Sequence, residues 1–113
     1  MKVTRTERDG IAVLRLEGEF DAWETEQIAA EFDACLREDH YRILLDLEKL
    51  TFINSSTIAW LITAQKTLQG HEGEMVFVSP TRPIRKVLTT LGLRQVFRIF
   101  DSVDEAAEAL RPA

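Results

Sequence analysis

The sequence predicts a single α/β domain in which a mixed, mainly parallel sheet, led by an N-terminal hairpin, packs against about four helices. Three observations predict it. Asp9-Gly10 stands between two strand-like runs and is a strong two-residue hairpin signal. After the hairpin, short apolar runs alternate with segments of helical period. The 113 residues are 45% hydrophobic, with no repeat, linker or low-complexity stretch, which suits one domain over residues 1–113.

Val3 to Arg8 alternates as an exposed or edge strand does, and the largely apolar run Ile11 to Leu16 reads as a more central strand that Gly18 ends. Asp21 is the expected N-cap of a helix running to about Arg37. Glu24, three residues on, completes a capping-box-like pair, and Ile28, Phe32, Cys35 and Leu36 form the core stripe. Tyr41 to Leu47 is the third strand, with Ile43-Leu44-Leu45 buried on both faces. After Ser55 a helix places Ile58, Leu61, Ile62, Gln65 and Leu68 on one face. Gly70 closes it, where a left-handed residue is favoured. Glu74 to Ser79 is the fourth strand. Pro83 sits in the first turn of a helix carrying Ile84, Val87, Leu88 and Leu91, which stops at Gly92. A short strand, Val96 to Phe100, and a helix capped by Ser102 (Val103, Ala106, Ala107, Leu110) finish the chain.

Composition excludes several function classes. A net charge of −5 argues against nucleic acid as a direct partner, because phosphate contacts need a positive surface. The charge is unevenly placed: Glu19 to Asp39 holds eight acids against Arg37 alone, whereas Thr81 to Phe100 holds Arg82, Arg85, Lys86, Arg94 and Arg98 and no acid. No run approaches the ~20 apolar residues of a membrane span, and the start of the chain has no apolar signal core, so membrane insertion is not expected and a cytoplasmic location is. The single cysteine, Cys35, cannot form an internal disulfide and falls on a core stripe.

Catalysis is not expected either. A nucleophilic serine needs a base, and the two histidines, His40 and His71, both fall in loops. There is no Gly-x-Ser-x-Gly elbow, no Cys/His metal-ligand spacing and no glycine-rich phosphate loop. We therefore assign no catalytic residue, no metal ligand and no cofactor.

One polar cluster survives this pruning. Asn54-Ser55-Ser56-Thr57 follows the apolar pair Phe52-Ile53 and opens the second helix, where a side chain caps free N–H groups and negative charge is favoured. Asn54 or Ser55 serves as the N-cap. An exposed serine there can be phosphorylated, adding about −1.5 to −2 charges. The helix tolerates that charge; a buried protein–protein contact does not. Trp60 lies off the Ile58/Leu61 stripe, and both an exposed partner contact and a core filler fit it.

The segment Leu45-Asp46-Leu47-Glu48-Lys49-Leu50-Thr51-Phe52-Ile53-Asn54-Ser55-Ser56-Thr57-Ile58-Ala59 resembles the signature of STAS domains of the bacterial anti-sigma-factor antagonist (anti-anti-sigma) type, usually Asp-Leu-x-x-Val-x-Phe-Ile-Asp-Ser-Ser-Gly-Leu-Gly. Leu16-Glu17-Gly18-Glu19-Phe20-Asp21 is similar to the family's Gly-x-Leu-Asp segment. Pro80 to Leu93, with Arg85, Val87, Leu88 and Leu91-Gly92-Leu93, resembles the stretch ending in x-Gly-Leu. The resemblance implies the STAS fold and a regulatory, non-enzymatic role. In that family the unphosphorylated protein binds an anti-sigma factor that is also a serine kinase of the histidine-kinase-like ATPase type, freeing a sigma factor. Phosphorylation of the serine after the acidic residue ends the interaction, and a PP2C-type phosphatase resets it.

Carried onto this chain, the phosphoacceptor is Ser55, with Ser56 and Thr57 as secondary candidates. The partner-binding set is Asp21, Asn54, Ser55, Ser56, Thr57, Ala59 and Trp60. Two departures from the family text matter most, Asn54 in place of Asp and Thr57 in place of Gly; Ile58-Ala59 in place of Leu-Gly is a milder change. They keep a second reading open, that of an unphosphorylated STAS scaffold subunit in a lipid-transport ABC system or signalling assembly. Both monomer and homodimer remain open.

Overall fold

The structure, a computed structural model, describes residues 1–111. Strands β1 (Lys2–Arg8), β2 (Ile11–Phe20), β3 (Arg42–Ile53), β4 (Glu74–Val78) and β5 (Ile99–Phe100) form one sheet in chain order, β1-β2-β3-β4-β5. Helices α1 (Thr25–Arg37), α2 (Ser55–Gln69), α3 (Arg82–Thr90) and α4 (Val103–Leu110) alternate with the later strands. The β1/β2 pair is antiparallel and the other pairs are parallel.

The hairpin turn follows its sequence signal: Asp9 and Gly10 have φ of 53° and 81°, which two-residue hairpins require. From β2 onward each strand is added on the same side of its predecessor. Right-handed crossovers then place α1, α2 and α3 on one face of the sheet. Ala12, Leu14 and Leu16 of β2 meet Ile28, Phe32, Ile58, Leu61 and Leu88 in the main core. The alternate residues Ile11 and Val13, with Leu44, Val76 and Val78, face α4 through Ala106, Ala107 and Leu110. Ile43-Leu44-Leu45 is thus buried from both sides, as its unbroken apolar run predicts.

Several boundaries differ from the sequence expectation, each for a local reason. Gly18 does not end β2; with φ 106° it lies within the strand, next to a register shift, and the strand continues to Phe20. β3 does not stop at Leu47 but runs to Ile53, because two β-bulges carry its polar stretch. Arg15 pairs with Asp46 and Glu17 with Lys49; Gly18 pairs with Leu50 and Glu19 with Phe52. Each step gives β3 one extra residue. The Asp46 carboxylate accepts the Glu48 amide at 3.1 Å inside the first bulge, and the Thr51 hydroxyl donates to the Gly18 carbonyl at 3.1 Å beside the second.

Asp21 caps a 3-10 turn, Ala22–Glu24, rather than α1, which begins at Thr25. Glu24 forms no capping box, and its carboxylate instead lies 3.3 Å from the Met1 ammonium. Gly70 is right-handed (φ −64°), and the positive φ falls on Glu72 at 59°. Gly73 is the glycine this turn needs, since a Cβ there would stand 1.9 Å from the Tyr41 carbonyl oxygen. Gly92 does end α3 in the left-handed region (φ 67°), but Leu91 points to solvent. β4 ends at Val78, and β5 spans two residues because a 3-10 turn, Leu93–Gln95, takes up the chain before it. Among the described residues no helix is long and apolar enough to cross a membrane.

Candidate functional site

The last Cα pair of β2 and β3 is Phe20 with Ile53. The segments leaving these strands therefore emerge side by side at the carboxyl edge of the sheet, the usual location of binding sites in open α/β folds. One carries Asp21 and the 3-10 turn; the other carries Asn54 and the start of α2.

Asn54 is the N-cap. Its backbone is extended (φ −126°, ψ 176°), and its side-chain oxygen accepts from the Thr57 amide at 3.0 Å and the Ser56 hydroxyl at 2.9 Å. Thr57 answers: its hydroxyl oxygen accepts from the Asn54 amide at 3.2 Å, completing a capping box, and donates to the Asn54 carbonyl at 2.9 Å. The same hydroxyl lies 3.4 Å from the Phe20 carbonyl and so joins the two segments. The departures from the family text thus reinforce each other. An amide and a hydroxyl fix the helix start without a charge. Replacing Asn54 with Ala is expected to destabilise the domain by about 1–2 kcal/mol in urea titrations, while Asn54→Asp should keep the cap.

Ser55, the first helical residue, is exposed, and none of the side-chain hydrogen bonds among the described residues engages its hydroxyl. It sits among free N–H groups at the positive end of the helix. Ser56 is exposed but tied to Asn54, and Ala59 is exposed one turn along. Thr57 is fully buried, and its hydroxyl is spent on the Asn54 and Phe20 backbone rather than presented at the surface. Trp60 is half-buried and packs edge-on against Phe32, with ring centroids 5.5 Å apart and planes at 77°. It faces the core as well as the rim. Asp21 is partly buried, and its carboxylate accepts the Trp23 amide at 3.0 Å.

The structure therefore brings together Asp21, Asn54, Ser55, Ser56 and Ala59 at one edge, with Thr57 and Trp60 beneath. Sequence reasoning missed two residues there. Trp23 is 89% exposed and Phe52 is 44% exposed. The signal for Trp23 was its position within the acidic run, well off the Ile28/Phe32 stripe. No sequence signal marked Phe52, which lies beyond Leu47, where the third strand is expected to stop.

At the opposite end of the sheet lies a second charged group. Glu7, Glu38 and His40 place ligand-type atoms within 4.8 Å of one another, although linear spacing gave no hint of it. Arg5 occupies the cluster, holding both oxygens of Glu38 at 2.8 and 2.9 Å and keeping that carboxyl below the usual carboxylate range. Cys35 is buried nearby, and burial pushes its thiol up despite the opposing charge of Arg5, the behaviour of a structural rather than a nucleophilic cysteine.

Fold and edge together define a small α/β domain that displays a serine at a helix mouth. Residues 2–106 match the family described as the STAS domain, and the chain belongs to that family. It is 29% identical over 113 residues to a Bordetella bronchiseptica protein bearing the provisional name anti-sigma factor antagonist BtrV, covering 100% of this chain and 97% of the other. It is 32% identical over 82 residues to an anti-sigma F factor antagonist of Lysinibacillus sphaericus, covering 72% and 70%. Among solved structures it is similar to the anti-sigma factor antagonist SpoIIAA in its unphosphorylated form, with a TM-score of 0.83, 24% identity and coverage of 97% and 96%. The Bacillus SpoIIAA in the phosphorylated form gives a TM-score of 0.75 at the same 24% identity, covering 97% of this chain and 100% of that one.

Proposed function

We propose that this domain is an anti-sigma factor antagonist that docks, through the edge around Ser55, onto an anti-sigma factor that is also a serine kinase, and that phosphorylation of Ser55 releases it. It acts as a binder rather than an enzyme, in the cytoplasm where sigma factors work, and a PP2C-type phosphatase restores the binding form. The observation that carries this reading is the Ser55 hydroxyl: exposed and unengaged on a helix start whose cap is supplied by Asn54 and Thr57. Because Ser55 is not the cap, its modification breaks no structural hydrogen bond. The family membership and the names of its relatives support the same reading.

The phosphate sits where free amides and the helix dipole favour it, by roughly 0.3–1 kcal/mol, so the domain stays folded. In a docked complex the same charge loses its water against a surface shaped for a hydroxyl, which costs several kcal/mol, each 1.4 kcal/mol being tenfold in affinity. The test is incubation with ATP and each purified histidine-kinase-like anti-sigma ATPase of the source genome, followed by mass spectrometry. One phosphate on Ser55, absent from Ser55→Ala, is the expected result. Stoichiometric phosphate on Ser55→Ala would sink the assignment.

A further inference from the structure

Trp23 stands beside this edge with 89% of its surface in water, the most exposed of the large hydrophobic side chains. An indole so open offers a partner a large apolar area with little side-chain entropy to lose. Its backbone, unlike its ring, is held firmly. The Asp21 carboxylate accepts the Trp23 amide at 3.0 Å, the Glu24 amide donates to the Asp21 carbonyl at 3.1 Å, and the Glu24 carboxylate pairs with the Met1 ammonium at 3.3 Å. Phe20, just before the turn, pairs with Ile53, and its carbonyl lies 3.4 Å from the Thr57 hydroxyl of α2. The turn that carries Trp23 is thus fixed relative to Ser55, so only the two side-chain torsions of the indole remain to be ordered on binding.

The surroundings narrow the occupant. Glu19 and Glu26 are exposed on either side of Trp23, Asp21 is partly so, and Arg37 is the one base between Glu19 and Asp39. A second copy docking symmetrically through Trp23 would set these acids against each other. A partner with an apolar slot rimmed by lysine or arginine would not.

We propose that Trp23 is the anchor of the docking surface, entering an apolar, basic-rimmed slot on the same anti-sigma kinase that engages Ser55. This rests on the functional reading above and adds a division of labour: Ser55 sets whether the complex forms, and Trp23 sets with which kinase and how tightly. Glu19 and Glu26 steer the encounter, so binding weakens as salt screens them.

The experiment is calorimetric titration of each purified histidine-kinase-like anti-sigma ATPase of the source genome with wild type, Trp23→Ala, Trp23→Phe and Ser55→Asp. Thermal melts accompany each variant. Trp23→Ala should raise Kd roughly 30-fold or more, and Trp23→Phe much less, with Tm unchanged for both. In a Trp60→Phe background, Trp23 emission should shift to shorter wavelength on binding. A wild-type Kd for Trp23→Ala, alongside lost binding for Ser55→Asp, overturns the anchor and leaves the functional reading intact. No binding of the wild type to any such ATPase overturns both. Trp23-dependent self-association in sedimentation would assign the surface to a second copy and overturn the proposal.

Discussion

Ser55→Asp is expected to weaken binding of the anti-sigma kinase by about 100-fold or more while leaving the domain as stable as wild type, or slightly more so. The two effects have opposite signs because one charge meets two environments. In the free domain the carboxylate stands at the first position of α2, beside amides that no backbone carbonyl satisfies, and water still reaches it. That placement favours folding by roughly 0.3–1 kcal/mol. In the complex the same carboxylate loses its water against a surface shaped for a hydroxyl, and a deficit of about 2.8 kcal/mol is already 100-fold. Calorimetric titration with the purified kinase reads the first effect, and urea denaturation of the free variant reads the second. Unchanged Kd with raised stability would remove the switch. Parallel losses in both would mean that Ser55 matters to the fold, contrary to its exposure. The phosphorylated wild type should follow Ser55→Asp in sign and exceed it in size, since phosphate carries more charge.

The element order and the helix-mouth cluster were legible in the sequence because both are written in local patterns. Ile43-Leu44-Leu45 has the unbroken apolar run of a doubly covered strand, and Asn54 has the polar, extended signature of a cap. What stayed hidden depended on neighbours in space. Glu48, Lys49 and Thr51 break the alternation, which is why the third strand is expected to stop at Leu47. Only pairing with β2 shows that two bulges keep that segment in the sheet. Gly18 read as a stop for the same reason, since a glycine inside a bulged strand and one after a strand look alike in one dimension. Thr57 matches no family residue, and its role as the reciprocal partner of Asn54 follows from the extended backbone at the cap. Trp23 escaped notice because a helix was expected from Asp21, whereas a short 3-10 turn comes first and turns the indole outward.

Gln65 shows how a residue that fits its helical stripe can serve a purpose the stripe does not reveal. It is 1% exposed, and its carboxamide is fully used: the amide donates to the Met75 and Val96 carbonyls, both at 3.0 Å, and the oxygen accepts from the Met75 amide at 2.7 Å. The reason lies in the sheet. β5 pairs with β4 only at Phe77 and Val78, so the edge of β4 at Met75 has no strand beside it. Gln65 reaches from α2 and takes the place of the missing strand residue. Removing the carboxamide leaves one amide and two carbonyls unpaired, at about 1–3 kcal/mol for each buried group, softened where water enters. Gln65→Ala should therefore destabilise by roughly 3–5 kcal/mol, a large part of the 5–15 kcal/mol typical of such a domain. Gln65→Leu separates the causes, because it restores volume but not hydrogen bonds. It should remain within about 1 kcal/mol of the alanine variant, and a return to wild-type stability would show that packing alone matters. Gln65→Glu adds a test with a sign. Burial holds the new carboxyl protonated in the folded state, above its unfolded value of about 4.3. A protonated carboxyl can donate to one carbonyl and accept from Met75, whereas a carboxylate faces two carbonyls. Its stability deficit relative to wild type should thus be smallest near pH 4 and grow as pH rises, read as the midpoint of urea unfolding at constant slope.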